Sequence, residues 1–117
     1  TIIPGLLREP DGSLMPFGVM GGQYQATGHA RFVTNCVDFG LHPQANIDAP
    51  RAFSEPAGLK VERGFDSTVV QTLTDMGHRA YVPDGPIGGA QAIRIDAKTG
   101  VLQGASDPRK DGCALGY

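Results

Sequence analysis

The chain has 117 residues, 40% hydrophobic and 19% charged, with a formal net charge of −2 and an isoelectric point near 5.8. This balance gives no electrostatic reason to expect a nucleic-acid or lipid-headgroup partner, and no apolar run approaches the roughly 20 residues that span a bilayer. We expect one globular domain over residues 1–117, with no nucleic-acid partner and no membrane partner.

Two strands are predicted at the start of the chain, over residues 1–7 and 14–20. The turn between them, at residues 9–12, carries proline and glycine where a tight turn needs them. Residues 2–7 are mostly apolar, which indicates a buried strand.

The second strand ends at two adjacent glycines, Gly21 and Gly22, and a helix is predicted directly after them. Without a Cβ, their N–H groups can approach a ligand closely, and the backbone can adopt positive φ. Beside the free N–H groups of a helix start, such a turn suits an oxyanion or a carboxylate. The alternative is that the glycines only relieve crowding in a tight turn.

The first helix is predicted over residues 24–39, with Gly40 ending it. The side expected to pack inward follows helical spacing and consists of His29, Val33, Cys36, Val37 and Gly40. A disulfide between Cys36 and Cys113 is an open alternative to two free thiols, because sequence does not supply the geometry. The histidines are too scattered for a metal-ligand spacing, so no metal and no cofactor are expected.

The second half of the chain alternates short helices and strands. A helix or turn is predicted over residues 46–52 and a strand over 59–62. The best-marked helix begins after Asp66, a good N-cap, with Phe65 able to pack on Val70. Its apolar stripe and end are predicted from Val69, Val70, Leu73, Met76 and Gly77.

A short strand over residues 79–82 and a hairpin of residues 91–95 and 101–105 complete the predicted elements. Together they predict an α+β fold with mainly antiparallel strands and helices packed on one face.

A series of short motifs runs along the whole chain. Their order and spacing resemble those of the C-terminal part of the small subunit of the gamma-glutamyltransferase (gamma-glutamyltranspeptidase) family. The matching residues are Thr1-Ile-Ile-Pro4, Gly21-Gly22, Val37-Asp38-Phe39-Gly40, Ala49-Pro50-Arg51, Leu59-Lys60-Val61-Glu62, Gly77-His78, Gly88-Gly89-Ala90-Gln91, Gly104-Ala105-Ser106-Asp107-Pro108-Arg109 and Gly116-Tyr117.

The resemblance implies part of the four-layer αββα sandwich of an N-terminal nucleophile hydrolase. Such an incomplete sheet would leave an open edge and an uncovered apolar face, so the chain should need partners to be stable. It implies as partners the remainder of the small subunit, the large subunit of the same precursor, and a small-molecule amide substrate. Thr1 does not match the family's nucleophile. The nucleophile opens a Thr-Thr-His-type segment, whereas Thr1 leads into the apolar residues 2–7 and matches a strand well downstream.

By resemblance, the backbone N–H groups of Gly21 and Gly22 hold the developing oxyanion, which makes these glycines the candidate catalytic and substrate-binding residues. Two departures put strict gamma-glutamyl specificity in doubt. Gly18-Val19-Met20 stands where many members carry Gly-Ser-Pro, and the form of residues 1–4 resembles a branch that includes enzymes of oxamate-type amides.

Arg51 and Arg109 lie in proline-containing turns at positions that the family also fills with arginine, and we expect both to form structural ion pairs. Asp107 is expected to bond within its own turn, and Ser106 with distant histidines does not form a catalytic triad. The predicted function is that of a C-terminal fragment of a gamma-glutamyl amide hydrolase or transferase. The alternatives are a related amidohydrolase or acylase, and a catalytically silent structural module.

Overall fold

The structure is a computed structural model that describes residues 1–116; Tyr117, part of the motif matched at the end of the chain, lies outside the described residues. The elements in chain order are β1 (Ile2–Arg8), β2 (Leu14–Met20), α1 (Tyr24–Val37), α2 (Pro43–Asp48), β3 (Ala52–Glu55), β4 (Gly58–Val61), α3 (Ser67–Asp75), β5 (Ala80–Tyr81), β6 (Gly89–Ile95), β7 (Leu102–Ser106) and a 3-10 helix (Pro108–Lys110).

The chain divides into two compact units, one of residues 1–48 and 88–117 and one of residues 49–87. The first holds a four-stranded sheet in the order β1-β2-β6-β7, antiparallel throughout. The second holds a three-stranded sheet in the order β3-β4-β5, in which β4 and β5 run parallel. The α+β class with mainly antiparallel strands is confirmed, whereas a single domain over 1–117 stays a prediction.

One face of the larger sheet is covered by α1. The Phe17 and Phe32 rings stack with centroids 4.5 Å apart, and Gly28 lets the helix lie close, since a Cβ there would come within 2.6 Å of Val19 Cγ1. The predicted packing side of α1 is right in part. The buried residues are Tyr24, Gln25, Gly28 and Phe32, and the predicted His29 has its ring 4.9 Å from the Phe17 ring, while Val37 is 62% exposed. The glycine within this stripe weakened its apolar signal in the sequence.

The opposite face of the same sheet is also apolar, yet it is largely exposed. Four large apolar side chains there are exposed to solvent: Ile2 at 49%, Leu6 at 66%, Ile93 at 46% and Leu102 at 65%. The strand predicted as buried, β1, lies at the sheet edge and is mostly exposed within this chain. A sheet that is apolar on both faces is a middle layer, and we name this exposed side the open face.

The smaller unit departs from prediction at its start. Residues 46–52 do not form one element, because α2 ends at Asp48 and residues 52–55 form a strand that sequence reasoning missed. Pro50 separates the two. The N-cap of α3 is confirmed by a 2.8 Å bond from Thr68 N–H to Asp66 Oδ1, and Gly77 follows the helix end with φ of +94°. The predicted stripe is not buried, however: Met76 is 70% exposed.

Within the described part of the chain, no helix is both long and apolar enough to cross a membrane.

Candidate active site

The paired glycines form the turn between β2 and α1, and both adopt positive φ, +133° at Gly21 and +57° at Gly22. Their carbonyls accept from the Tyr24 and Gln25 N–H groups, each at 3.1 Å, so the first helical turn closes on the glycines. The N-cap residue Gln23 makes no side-chain cap bond.

The N–H groups of Gly21, Gly22 and Gln23 donate to no acceptor anywhere in residues 1–116. Both glycines are exposed. Three consecutive backbone donors at the positive end of a 14-residue helix therefore remain available to an external acceptor.

The two glycines are needed for different reasons. A Cβ at Gly21 would lie 2.7 Å from Gly88 Cα, so this residue is glycine because two backbones touch. A Cβ at Gly88 would in turn lie 2.5 Å from the Met20 carbonyl oxygen. At Gly22 a Cβ would meet nothing within 4 Å, and only the left-handed backbone favours glycine there.

Thr1 lies beside this turn, because β1 and β2 pair Ile2 with Met20. The buried Gln25 side chain donates from Nε2 to the Thr1 carbonyl oxygen at 2.9 Å and approaches Thr1 Oγ1 at 3.5 Å. The Thr1 hydroxyl thus neighbours an amide, which cannot act as a general base. No pattern in the sequence indicated the Gln25 contact.

Asp107 and Arg109 form a hydrogen-bonded pair, here called the clamp, that contacts β6 and the end of α2. Asp107 is fully buried; its Oδ2 accepts from Ala90 N–H at 2.8 Å, and its Oδ1 accepts from Arg109 N–H at 3.0 Å. Arg109 Nη1 lies 3.2 Å from Asp107 Oδ1 and donates to the Ile47 carbonyl at 2.9 Å. Arg109 Nη2 donates to the Asp48 carbonyl at 3.2 Å, so the clamp joins β6 to the end of α2. The predicted local role of Asp107 is present, but its bond to β6 was missed.

The position of Arg109 leads to a testable expectation. In the self-cleaving amide hydrolase precursor that the resemblance implies, Arg109→Ala should lower stability or self-cleavage more than it raises the KM for an amide substrate, because the guanidinium binds helix-end carbonyls and a buried carboxylate. Denaturant unfolding, the fraction of self-cleaved protein, and KM would be measured on the same preparation. A raised KM with unchanged stability and cleavage would point to substrate binding instead.

Arg51 lies in the smaller unit with 1% of its surface exposed, and its Nη1 donates to the Ile87 carbonyl at 2.9 Å. Glu62, which sequence reasoning did not single out, accepts from the N–H groups of Arg51 at 3.0 Å and Ile87 at 2.8 Å. Arg51 and Glu62 together hold the segment that ends at Ile87 onto the β3–β4 hairpin.

Ser106 and the cysteines take no part in a catalytic cluster in the described chain. The Ser106 hydroxyl donates to Gln91 Oε1 at 2.6 Å, and no histidine is its partner. Cys36 and Cys113 are free, and burial raises the pKa of the Cys36 thiol. A raised thiol pKa disfavours the nucleophilic thiolate.

A second polar cluster lies at the far end of the sheet. Arg94 pairs with Glu9 at 2.7–3.1 Å and with Asp96 at 3.3 Å. Hydrogen bonds from Thr99, ahead of those from Arg94 and the Lys98 N–H, hold the pKa of Asp96 down to about 2. With its charges mutually paired, this cluster fixes the β1 and β6 ends and offers no acid or base for catalysis.

A mainly antiparallel sheet with helices on one face and an apolar opposite face gives this chain an α+β fold that matches structures of the N-terminal nucleophile hydrolase class. The chain belongs to the gamma-glutamyltranspeptidase family, because the sequence model of that family matches residues 1–117.

Two curated relatives and one solved structure illustrate the range of the family. The chain is 35% identical to the glutathione hydrolase-like YwrD proenzyme of Bacillus subtilis, over 99% of this chain and 24% of the relative. It is 32% identical to the oxamate amidohydrolase proenzyme of Klebsiella pneumoniae, over 100% of this chain and 24% of that relative. The crystal structure of cephalosporin acylase from Bacillus halodurans superimposes with a TM-score of 0.77 at 42% identity, over 87% of this chain and 20% of that one.

The chain therefore spans about a quarter of the length of these curated relatives, both of which are named as proenzymes. The predicted family and fold are confirmed. The names of these relatives refer to different amides. This agrees with the expectation that the branch includes enzymes of more than one amide substrate.

Proposed function

We propose that this chain is the C-terminal part of an amide hydrolase or acyltransferase with an N-terminal threonine nucleophile, and that Gly21 and Gly22 supply its oxyanion site. The observation that carries the proposal is the row of backbone N–H groups at residues 21–23 without an acceptor, exposed at a helix start. Oxygen anions bind well at such a position.

The reaction would proceed by acyl transfer. The nucleophile, outside residues 1–117, attacks the amide carbonyl, and its oxygen becomes an oxyanion that accepts from the Gly21 and Gly22 N–H groups. Collapse of the tetrahedral intermediate expels the amine, and water or a second amine then releases the acyl group. The glycine N–H groups are fixed by the backbone before the reaction, so they need no reorganisation as the charge forms. No cofactor is required.

The substrate would be a small amide, and two classes compete. A gamma-glutamyl amide such as glutathione fits the family. A non-gamma-glutamyl amide, of oxamate or acylase type, is favoured by the replacement of the usual Ser-Pro by Val19-Met20 directly before the turn. The Val19 side chain is buried and Met20 is half-buried, so neither offers the hydroxyl group that a serine would. Steady-state hydrolysis of both substrate classes by the full-length precursor would decide between them.

The partners would be the remainder of the small subunit and the large subunit of the same precursor. The open face supports this proposal: its exposed apolar residues include Leu6 at 66% and Leu102 at 65%. An apolar sheet face of this kind is normally covered in a folded protein. A second sheet from the remainder would complete the sandwich.

The isolated 117-residue chain should show no hydrolysis or transfer of a gamma-glutamyl anilide, because the nucleophile lies in the remainder. The measurement is anilide release by a homogeneous sample whose intact mass is 12.3 kDa. Activity that survives purification and disappears on Thr1→Ala would make Thr1 the nucleophile and overturn the proposed division of roles. An inactive full-length precursor would favour a catalytically silent structural module.

A further inference from the structure

One cation beside the glycine turn has no function in the proposed reaction. Lys110 ends the 3-10 helix and is exposed, and its ammonium forms no hydrogen bond or ion pair with another residue in 1–116. Arg94 and Arg109, the arginines nearest to it in sequence, bind carboxylates.

The carbon chain of Lys110 lies on Gly89. A Cβ at Gly89 would come within 2.7 Å of Lys110 Cγ and 3.1 Å of Lys110 Cε, and within 3.2 Å of Met20 Cγ. Gly89 does not have positive φ, so its backbone does not demand glycine. The missing side chain instead leaves the space that Lys110 occupies.

The position of the Lys110 side chain on Gly89 is next to the candidate oxyanion site. Gly89 pairs with Met20, the residue before Gly21, and the neighbouring Gly88 Cα would lie 2.7 Å from a Cβ on Gly21. Lys110 Nζ is one bond beyond Cε, so the ammonium lies near Gly89, whose strand partner Met20 directly precedes the turn. Its backbone is anchored, because the Lys110 N–H donates to the Asp107 carbonyl at 3.1 Å and Asp107 is buried.

We propose that the Lys110 ammonium binds a carboxylate of the acyl donor while the donor's amide carbonyl lies at Gly21 and Gly22. The proposal rests on the proposed function. Gamma-glutamyl amides and oxamate both carry a carboxylate near the scissile amide, so the shared chemistry is carboxylate recognition. An ammonium on a flexible chain holds substrate and transition state about equally, which raises affinity and leaves kcat unchanged.

The test uses the full-length precursor and the variant Lys110→Met, which keeps an unbranched chain over Gly89 and removes the charge. Two substrate pairs differ mainly in the carboxylate: gamma-glutamyl anilide with 4-aminobutyryl anilide, and oxamate with oxamide. For the pair that the wild type hydrolyses, Lys110→Met should raise KM about tenfold for the carboxylate-bearing member only, with kcat unchanged. The pair that responds identifies the source of the carboxylate.

Lys110→Arg should restore most of the affinity, because it returns the charge. Lys98→Met is the matched control, since Lys98 is an exposed lysine in the β6–β7 turn at the far end of the hairpin. An unchanged KM in Lys110→Met, or equal changes for both members of a pair, would overturn the role of Lys110 and leave the proposed function standing. A wild-type precursor that hydrolyses neither pair but cleaves an acylase-type amide would overturn the role of Lys110 alone, and one that cleaves no amide would overturn both.

Discussion

Gly22→Val in the full-length precursor should lower kcat by about two to three orders of magnitude while the protein stays folded. The φ of +57° at Gly22 is one that a β-branched residue resists, so the peptide should rotate and misplace the N–H that we propose binds the oxyanion. A steric collapse is not expected, because a Cβ there would meet nothing within 4 Å.

The matched control is Gly100→Val. Gly100 also has positive φ, +71°, with nothing within 4 Å of an added Cβ, and it lies in the β6–β7 turn. Both variants should lose similar stability through backbone strain, whereas only Gly22→Val should lose kcat per active site. Thermal unfolding and active-site-titrated kcat would be measured on each. A folded Gly22→Val enzyme with wild-type kcat would end the oxyanion assignment.

Asp107→Ala should destabilise the full-length precursor by about 3 kcal/mol or more. The carboxylate is fully buried and accepts from Ala90 N–H, Arg109 N–H and Arg109 Nη1. Its removal takes the acceptor from the buried Ala90 N–H and leaves the half-buried Arg109 guanidinium with the Ile47 and Asp48 carbonyls but without this carboxylate. The midpoint of denaturant unfolding, with the slope checked for constancy, measures the loss.

Asp38→Ala is the control for loss of an acidic side chain, because Asp38 is exposed just after α1. It should change stability by no more than about 0.5 kcal/mol. Asp107→Asn should fall between the two, since an amide oxygen still accepts from one N–H while the charge is gone. Equal stability of Asp107→Ala and Asp38→Ala would show that the clamp does not hold β6 in place.

Local signals in the sequence predicted well wherever one residue decides the conformation. Asp66 caps α3 and Gly77 follows its end, as expected from capping preferences. The paired glycines do form the turn between β2 and α1. These features depend on neighbours a few residues away, and such neighbours are visible in a single chain.

Features that depend on distant residues were predicted less well. The inward side of α1 is centred on Gly28 against Val19, a contact of two different elements, whereas the pattern of apolar residues alone centred it about one residue further along the helix. The bond from Ala90 to Asp107 and the position of Lys110 on Gly89 join residues 17 and 21 positions apart through the β6–β7 hairpin. Periodicity carries no information about such contacts.

The open face also bears on the proposed self-cleavage of the parent protein. Once that peptide bond is cut, the two products would be joined only by noncovalent contacts, and where the large subunit covers the open face, the apolar surface around Leu6 and Leu102 would contribute to those contacts. Separating them would expose this surface to water, so dissociation and denaturation would coincide. We therefore expect that mature subunits do not exchange between enzyme molecules, and that two inactive variants mixed after maturation do not complement each other.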